Sequence, residues 1–316
     1  MIDETQIIII DDCSIDNCDE IIADFSKLMD IKYYKNETNI GAGATRQRGI
    51  ELADTPYLMF MDADDSLYNE YALLMLYKAI TDKNLDIVSG GFIQEMESSD
   101  NIKLPLSQKA LQENQTWIWA RLYLRSFLVN NKITFGGLRY NEDFVFMAQC
   151  LALNPKKDFV KNTVYVWHYN EISVTRQKDG AFCNEWNRIN RFITGLCEMH
   201  KQKKKMGLID NEISLSQTTD GLCVLYWYFI RMQEENNENI ELLIPRMQEY
   251  YNLISVDYKD LLHSTTLTDS YFNSSYTFGD IANKTIPKAT IYEVIQDLEA
   301  NKNEVKYDSN CKYQFG

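Results

Sequence analysis

The chain has 316 residues, 45% of them hydrophobic and 25% charged, a composition typical of folded globular proteins and not of disordered ones. Its formal net charge of -14 disfavours general binding to the phosphate backbone, so we predict no nucleic-acid partner. Seven scattered cysteines without a CxxC pair argue against a disulfide framework or a zinc site and favour a reducing, cytoplasmic location.

Up to residue 93 the chain alternates short apolar runs with segments of helical pattern. Strands are predicted at residues 6–10, 31–34, 57–61 and 86–93, the first of them buried on both faces. Helices are predicted at residues 15–29, from the glycine loop at 39 to residue 50, and at 69–80. This β-α-β-α-β-α-β order predicts an α/β fold, in which a mostly parallel sheet carries helices on both faces.

Beyond residue 100 the alternation loosens. Helices are predicted at 117–130 and 141–153, a turn at Gly136-Gly137 and a strand at 164–168. From about residue 180 the chain reads as mainly helical, with a loop-rich stretch at 263–288. We therefore predict two domains, an α/β domain over residues 1–180 and a mainly helical region over 181–316.

Neither a signal peptide nor a membrane span is predicted. The longest apolar run, residues 222–230, is too short for a bilayer that needs about 20 residues, so it is interpreted as part of a buried helix. A basic patch is formed by Lys201, Lys203, Lys204 and Lys205. A solvated helix face is the favoured interpretation of this patch. The alternative is contact with an anionic acceptor or peripheral association with the inner face of a membrane.

Acidic residues follow two of the predicted strands: Asp11-Asp12 and the cluster Asp62-Ala63-Asp64-Asp65. Ligands of open α/β sheets bind beyond the carboxyl ends of the strands, so both groups are expected to face one crevice. The cluster brings together three carboxylates that repel one another unless a cation or hydrogen bonds offset their charge. Mn²⁺ or Mg²⁺ suits such oxygen ligands, and the alternative is an acidic cap on the next helix.

Three further features carry candidate chemistry. Gly41, Gly43 and Arg46 form a small-residue loop that leads into a helix, which suits either a phosphate or base contact or a simple surface turn. Glu142-Asp143 opens an apolar helix. A carboxylate at this position is either a general base or a complement to the helix dipole. His168 ends a predicted strand, as a metal or diphosphate ligand or as a packed side chain.

The order of these motifs resembles that of family-2 inverting glycosyltransferases with the GT-A fold. The resemblance rests on Asp-Asp-x-Ser at Asp11, Asn-x-Gly-x-x-x-x-Arg-x-x-Gly at Asn39, Asp-x-Asp-Asp at Asp62, Asn-Glu-Asp-Phe at Asn141 and Ser-x-Thr at Ser173. It covers about residues 6–176. It implies that residues 1–180 bind a nucleotide sugar and catalyse transfer, while residues 181–316 bind the acceptor or form oligomers.

The resemblance also implies site roles. Asp143 would be the catalytic base, and Asp64 and His168 would hold Mn²⁺ or Mg²⁺ on the diphosphate of a UDP-sugar donor. Asp12 would contact uracil, Arg46 the base or diphosphate, and Asp62 the ribose or metal. The remaining nucleotide-sugar-binding positions would be Ala63, Glu142 and Ser173. The acceptor would be a hydroxyl of a glycan or other molecule, and a homo-oligomer is a further expectation.

The sequence departs from the family pattern in three places. Only five residues precede Gln6, so the strand and helix with which members usually begin are expected to be absent. Gln47 replaces the asparagine of the usual Ala-Arg-Asn, and His168 stands where an arginine is usual. The alternative function is therefore a catalytically impaired binding or structural subunit. A nucleotidyltransferase is disfavoured because the sequence has no basic, glycine-rich triphosphate loop near its N-terminus.

Overall fold

The computed structural model describes residues 5–16, 18–97, 103–105, 116–171, 173, 185–234 and 237–258. The chain divides into two units, Met1–Gln177 and Lys178–Gly316. The strands of the first unit are β1 (Gln6–Asp11), β2 (Asp30–Lys35), β3 (Tyr57–Leu58), β4 (Ser66–Leu67), β5 (Ile87–Glu97), β6 (Lys103–Pro105), β7 (Arg121–Leu124) and β8 (Lys157–Trp167). Its helices are α1 (Asp19–Phe25), α2 (Ala42–Leu52), α3 (Ala72–Asp82), α4 (Arg125–Asn130) and α5 (Glu142–Ala152).

The first two strands form a separate two-stranded parallel sheet, in register from Gln6 opposite Asp30 to Asp11 opposite Lys35. The prediction that β1 is buried on both faces was wrong, because all six of its residues are only half-buried. Among the described strands β1 pairs with β2 alone, so its other edge has no strand to cover it. Helix α1 is shorter than predicted. Its residues Ile21 and Phe25 are exposed, and so is Leu28, which lies beyond the end of the helix.

The second sheet has the order β3-β7-β5-β8-β4, with β6 paired to β5. Strands β5 and β8 run parallel over the longest register, whereas β3–β7, β5–β7, β4–β8 and β5–β6 are antiparallel. The α/β class is confirmed, and the sheet is mixed where we predicted it mostly parallel. Each antiparallel pair includes one of the short strands β3, β4, β6 and β7, and antiparallel neighbours do not need the helical crossover that joins parallel strands.

The prediction of a helix at residues 117–130 was partly wrong, because the segment contains both a strand and a helix. Residues 121–124 form β7, which hydrogen-bonds to both β3 and β5, and only Arg125–Asn130 are helical. Residues 118–123 are buried at every position, including both Leu122 and Tyr123. Burial on both faces favours a central strand over an amphipathic helix, so tertiary contacts override the local helical pattern.

The segment before the acidic cluster is held by aromatic packing more than by strand pairing. Only Tyr57–Leu58 of the predicted strand 57–61 pairs, with β7. Phe60 instead makes edge-to-face contacts with Tyr123, Phe135 and Phe146, at centroid distances of 5.6, 5.6 and 5.7 Å. These contacts fix where the chain enters residues 62–65, because each ring pair favours one geometry.

The core on the other side of the sheet surrounds α3. Leu76 and Ile80 are fully buried there beside Trp119 and Tyr165, whose rings stack at 5.0 Å with planes 7° apart. The turn predicted at Gly136-Gly137 is confirmed, since both residues adopt positive φ. Helix α5 and strand β8 also confirm the predicted helix at 141–153 and strand at 164–168.

The described part of the second unit consists of α6 (Glu185–Lys205), α7 (Glu212–Glu234) and α8 (Ile240–Ser255). The run 222–230 lies in α7, where Leu222 and Leu225 are buried. Lys203 is buried as well and donates to Ser214 O and Gln217 Oε1, so it does not belong to a solvated basic face. In the residues that can be described, no helix is long and apolar enough to cross a membrane. The predicted loop-rich stretch 263–288 lies outside the described residues.

Candidate active site

The carboxylate of Asp12, at the end of β1, anchors the loop that opens α2. Its Oδ1 accepts the backbone N–H of Ile40 at 2.8 Å and the side-chain amide of Asn36 at 2.9 Å. Its Oδ2 accepts the N–H of Gly41 at 2.8 Å. Burial raises the pKa of Asp12, but these hydrogen bonds outweigh it and lower the pKa below its usual value. The Thr45 side chain is a fourth hydrogen-bond partner, so protein groups occupy about all four acceptor sites of this carboxylate.

The neighbouring Asp11 serves local structure. Its Oδ1 accepts the N–H of Ser14 at 2.7 Å, and its Oδ2 lies 3.1 Å from the Tyr33 hydroxyl and 3.0 Å from Lys35 Nζ. The hydrogen bonds from Ser14 are the main reason that the pKa of Asp11 lies far below its usual range. The turn after β1 is thus fixed by Asp11, and the loop before α2 by Asp12.

Arg46 of α2 joins two of the predicted acidic motifs. Its guanidinium donates to Asp62 Oδ1 at 2.5 Å and to Glu142 Oε1 at 2.8 Å. Burial opposes the charge of Arg46, but Asp62 and Glu142 raise its pKa above the usual value. The acidic cluster after β3 and the start of α5 therefore meet at one cation, which offsets the repulsion between their carboxylates.

The close approach of α2 to α5 depends on Gly43. A Cβ at this position would lie 2.9 Å from Glu142 Cβ and 3.2 Å from Phe135 Cβ. Real Cβ atoms do not approach so closely, so only glycine lets Arg46, one turn further on, reach Glu142. The small-residue loop thus permits the approach of another helix, where the sequence had left open a phosphate or base contact and a simple surface turn. Gly41, with φ of 87°, begins α2 in the left-handed region that favours glycine.

We expect Gly43→Ala to destabilise the protein by about 1–2 kcal/mol, because steric overlap in a packed interface outweighs the gain in helix propensity. Gly49→Ala is the matched control on the same helix. Its Cβ would meet only Ile10 Cδ1 at an ordinary 3.6 Å, so stability should stay the same or rise. Urea unfolding of both variants measures the difference, and equal stabilities would contradict this packing role.

Asp143 has the properties expected of a base. It begins α5 beside Glu142, and its Oδ1 accepts the N–H of Phe144 at 2.8 Å. Burial, reinforced by the charge of Glu142, raises the pKa of Asp143 to about 7. The side chain nevertheless belongs to a partly exposed residue. A carboxylate with a pKa near neutrality is well matched to proton abstraction at physiological pH.

The rest of the acidic cluster is tied to the end of β8. The Tyr165 hydroxyl donates to Asp65 Oδ2 at 2.7 Å, and the N–H of His168 donates to Asp65 Oδ1 at 3.0 Å. Burial raises the pKa of Asp65 to about 6. Asp64 is exposed, and its Oδ2 accepts the side-chain amide of Asn170 at 2.8 Å.

The oxygen ligands available at Asp64 suit a cation that is bound jointly by the protein and by a phosphate group of a ligand. Within the described residues no group of three or more His, Cys, Asp or Glu side chains could hold a metal ion alone. Mg²⁺ bound with phosphate needs only one or two protein carboxylates, and Asp64 supplies an exposed one. His168 fits less well, because its Nε2 lies 2.8 Å from Ser66 Oγ and its Nδ1 3.1 Å from Glu95 Oε1.

The predicted site residues therefore fall into two contact groups and several separate positions. One group is Arg46 with Asp62 and Glu142, both of which it contacts. The other joins the acidic cluster to the end of β8, through Asp64 with Asn170 and through Ser66 with His168. Ala63 is exposed at the tip of the cluster. Ser173 donates its N–H to Asn170 O at 3.2 Å, and residues 174–176 lie outside the described residues.

Sequence reasoning missed Tyr165, Asn170 and Glu95. Tyr165 lies in a run that reads as a buried strand, so its hydroxyl had no distinguishing signal. Asn170 lies two residues after His168, beyond the end of a predicted strand. A polar amide at such a position is a signal for a binding residue. Glu95 projects from β5, far from any recognised motif.

Comparison with known proteins shows which proteins this chain resembles. The model of glycosyl transferase family 2 matches residues 2–146. The uncharacterized glycosyltransferase YibD of Escherichia coli (strain K12) is 25% identical over 189 residues, which cover 54% of this chain and 55% of that protein. The putative glycosyltransferase EpsH of Bacillus subtilis (strain 168) is 27% identical over 192 residues, 55% of each protein. The chain spans about half the length of the curated relatives it matches.

Among solved structures, S. aureus TarS 1-349 in complex with UDP superimposes with a TM-score of 0.56 at 14% identity, covering 96% of this chain and 84% of that one. This likeness concerns the fold, and it confirms the GT-A architecture that the motif order had implied. The family match over residues 2–146, the relatives and the fold therefore agree that the N-terminal unit is similar to glycosyl transferase family 2.

Proposed function

We propose that this chain is a metal-dependent inverting glycosyltransferase, which moves a sugar from a UDP-sugar to a hydroxyl of a glycan or polysaccharide. The observation that carries the proposal is the Arg46 bridge between Asp62 and Glu142. It brings the acidic cluster at the end of β3 to the start of α5, next to a carboxylate whose pKa is raised to about 7.

Asp143 is the base in this proposal. It takes the proton of the acceptor hydroxyl, and the acceptor oxygen forms a bond to the anomeric carbon. The bond from that carbon to the diphosphate breaks, and UDP leaves with the electron pair. A single displacement by one base inverts the anomeric centre, as in inverting glycosidases.

Asp64 is the protein ligand for Mn²⁺ or Mg²⁺, since it is the exposed carboxylate of the cluster. When bound, such a cation offsets the negative charge that grows on the leaving diphosphate. Asp62 has a different role. Its carboxylate pairs with Arg46 and orients the acidic cluster. We assign His168 to holding the segment after β8, since both its ring nitrogens have protein partners.

UDP is the nucleotide to test first. The solved TarS structure of the same fold is described as a complex with UDP. In this chain we assign the uracil contact to Asp12, whose carboxylate also holds the start of α2 through the N–H groups of Ile40 and Gly41. We propose that residues 1–180 form the nucleotide-sugar-binding and catalytic domain, and that residues 181–316 bind the acceptor or mediate oligomerisation.

The proposed compartment is the cytoplasm, with the inner face of the membrane as a peripheral site. Cys13, Cys18, Cys150 and Cys197 are free thiols, which suits a reducing compartment. Lys203 is buried and withdrawn from the predicted basic patch, which weakens the case for that patch as the membrane contact.

We expect Asp64→Ala to lower Mn²⁺-dependent release of UDP from UDP-sugars by about 100-fold, because metal stabilisation of a leaving group is worth several kcal/mol. The measurement is coupled UDP detection over a panel of UDP-sugars, with and without Mn²⁺. Asp54→Ala is the control, since Asp54 is an exposed carboxylate that pairs with Lys32 on the surface. If wild type and Asp64→Ala respond equally to Mn²⁺, Asp64 is not the ligand.

The alternative function is a binding or structural subunit without turnover. The separate, half-buried β1–β2 sheet favours it, because Asp12 stands on that sheet and a loosely packed support would weaken nucleotide binding. Titration calorimetry with UDP and Mn²⁺ distinguishes the two. Binding without UDP release from any donor supports the subunit, whereas binding with release supports the enzyme.

A further inference from the structure

The turn at residues 62–65 is fastened at both ends by the hydroxyl of one tyrosine. The Tyr165 oxygen accepts the backbone N–H of Asp62 at 3.2 Å and donates to Asp65 Oδ2 at 2.7 Å. The turn closes on itself through the N–H of Asp65, which donates to Asp62 O at 3.1 Å. The two residues between these fixed ends, Ala63 and Asp64, are exposed.

Tyr165 itself has little freedom. Its ring is fully buried and stacks on Trp119, with centroids 5.0 Å apart. Its strand, β8, pairs with β4 directly after the turn, where Ser66 lies opposite Val166. The position of the hydroxyl is therefore set by the core of the sheet, and the hydroxyl transmits that position to the turn.

Additional hydrogen bonds support the same arrangement without replacing it. The N–H of His168 donates to Asp65 Oδ1 at 3.0 Å, so both oxygens of Asp65 are held by residues of the β8 end. Ser66 Oγ lies 2.8 Å from His168 Nε2. None of these contacts reaches the backbone of Asp62, which Tyr165 holds.

We propose that Tyr165 is a positioning residue, which holds the 62–65 turn so that the Asp64 carboxylate points outward to the donor diphosphate and its cation. The inference rests on the proposed function. It assigns Asp65 to the anchoring of the turn, and it leaves Asp64 as the member of the cluster that meets the ligand.

Tyr165→Phe tests the inference because it removes only the hydroxyl and keeps the stacked ring. We expect the affinity for Mn²⁺ in the presence of UDP, measured by calorimetry, to fall about tenfold, because the turn loses both hydrogen bonds that the hydroxyl makes. The affinity for UDP without metal should stay within about twofold. In the metal-free protein, hydrogen exchange of peptides that cover residues 59–67 should accelerate.

Tyr123→Phe is the matched control. Tyr123 is an equally buried tyrosine of the same sheet, and its hydroxyl donates to Ile118 O at 2.9 Å, away from the turn. It should lose comparable stability while Mn²⁺ affinity and exchange at 59–67 stay as in the wild type. Equal effects of the two substitutions, or unchanged Mn²⁺ affinity in Tyr165→Phe, would overturn the positioning role.

The failure of the proposed function has a different signature. If wild-type protein binds neither UDP nor Mn²⁺ with UDP, the glycosyltransferase proposal fails, and the positioning role fails with it. If the wild type binds both and Tyr165→Phe does the same with wild-type exchange at residues 59–67, only the positioning role fails.

Discussion

Replacing Asp143 with asparagine is expected to lower kcat about 1000-fold, within the ~10²- to 10⁴-fold range that a general base contributes. Asparagine keeps the shape of the side chain and can still accept the N–H of Phe144, so the start of α5 should be preserved. Donor binding, measured as UDP affinity, should change little. Steady-state kinetics with the best donor and acceptor separate kcat from KM.

The pH profile gives the same base a second signature. Burial raises the pKa of Asp143 to about 7, so the carboxylate becomes protonated and inactive as the pH falls through 7. We expect wild-type kcat/KM to drop about tenfold per pH unit below that value. Residual activity of Asp143→Asn should lack this acidic limb. A limb that persists in the variant would assign the titration to another group.

As the pH rises, the contribution of Asp143 to the stability of the protein should fall while its contribution to activity rises. Because the pKa of Asp143 is higher in the folded protein than in the unfolded chain, the folded state binds more protons between about pH 4 and pH 7. The side chain therefore costs stability as the pH rises through this window. Asp143→Asn should be more stable than wild type at pH 8 and equally stable near pH 4, as urea unfolding can measure.

Arg46→Met is expected to destabilise the protein by about 3 kcal/mol at pH 8, since removing one partner of a buried ion pair leaves uncompensated charge. Here two carboxylates lose their partner, because Arg46 contacts both Asp62 and Glu142. Glu142 retains only 11% exposure of its side chain, so water cannot replace the guanidinium fully. Activity should fall too, since the two acidic motifs would separate.

The pH dependence and a second substitution isolate the charge effect. Burial raises the pKa of Glu142 and Arg46 opposes that rise, so removing Arg46 raises the pKa further. The cost of Arg46→Met should shrink as the pH falls, because a protonated Glu142 needs no cation. Arg46→Met with Glu142→Gln should recover part of the stability at pH 8. A cost that is independent of pH would point to lost packing of the arginine stem.

Lys27→Met provides the comparison for a surface pair. Lys27 lies 2.7 Å from Asp24, but both side chains are more than 70% exposed, at 72% and 77%. Exposed pairs contribute about 0.2–1 kcal/mol, so this variant should remain close to wild type. Losses of the same size in both variants would contradict a special role for the bridge at Arg46.

The sequence predicted those parts of the site that depend on strand ends. Asp12 and Asp62 each follow a strand, and both contact helix α2. Asp12 anchors the start of the helix, and Asp62 pairs with Arg46 on it. The rule that ligands lie beyond strand ends therefore selected residues that the fold brings to the same helix, and their binding roles stay predictions. It could not find that Arg46 would bind carboxylates, since Glu142 is 96 residues away along the chain.

Other details depended on packing that a single sequence does not display. The sequence indicated that another group approaches the backbone closely at Gly43. That group is Glu142, which lies 99 residues later in the chain, and no local pattern specifies such a contact. Residues 121–124 carry a helical pattern yet pair on both edges, because β3 and β5 offer hydrogen bonds. Tyr165 has no sequence signal beyond its place in a buried strand.

The free edge of β1 has a consequence for how molecules of this protein meet one another. The strand carries four consecutive isoleucines, all half-buried, and among the described strands its outer edge has no neighbour. Such edges are templates for intermolecular pairing unless charge or proline blocks them. Within β1 only Asp11 is charged, so colloidal repulsion from the net charge of -14 must keep the edges apart at neutral pH. That repulsion disappears near the isoelectric point of 4.8, where uncovered isoleucine strands make precipitation by cross-molecule sheets most favourable.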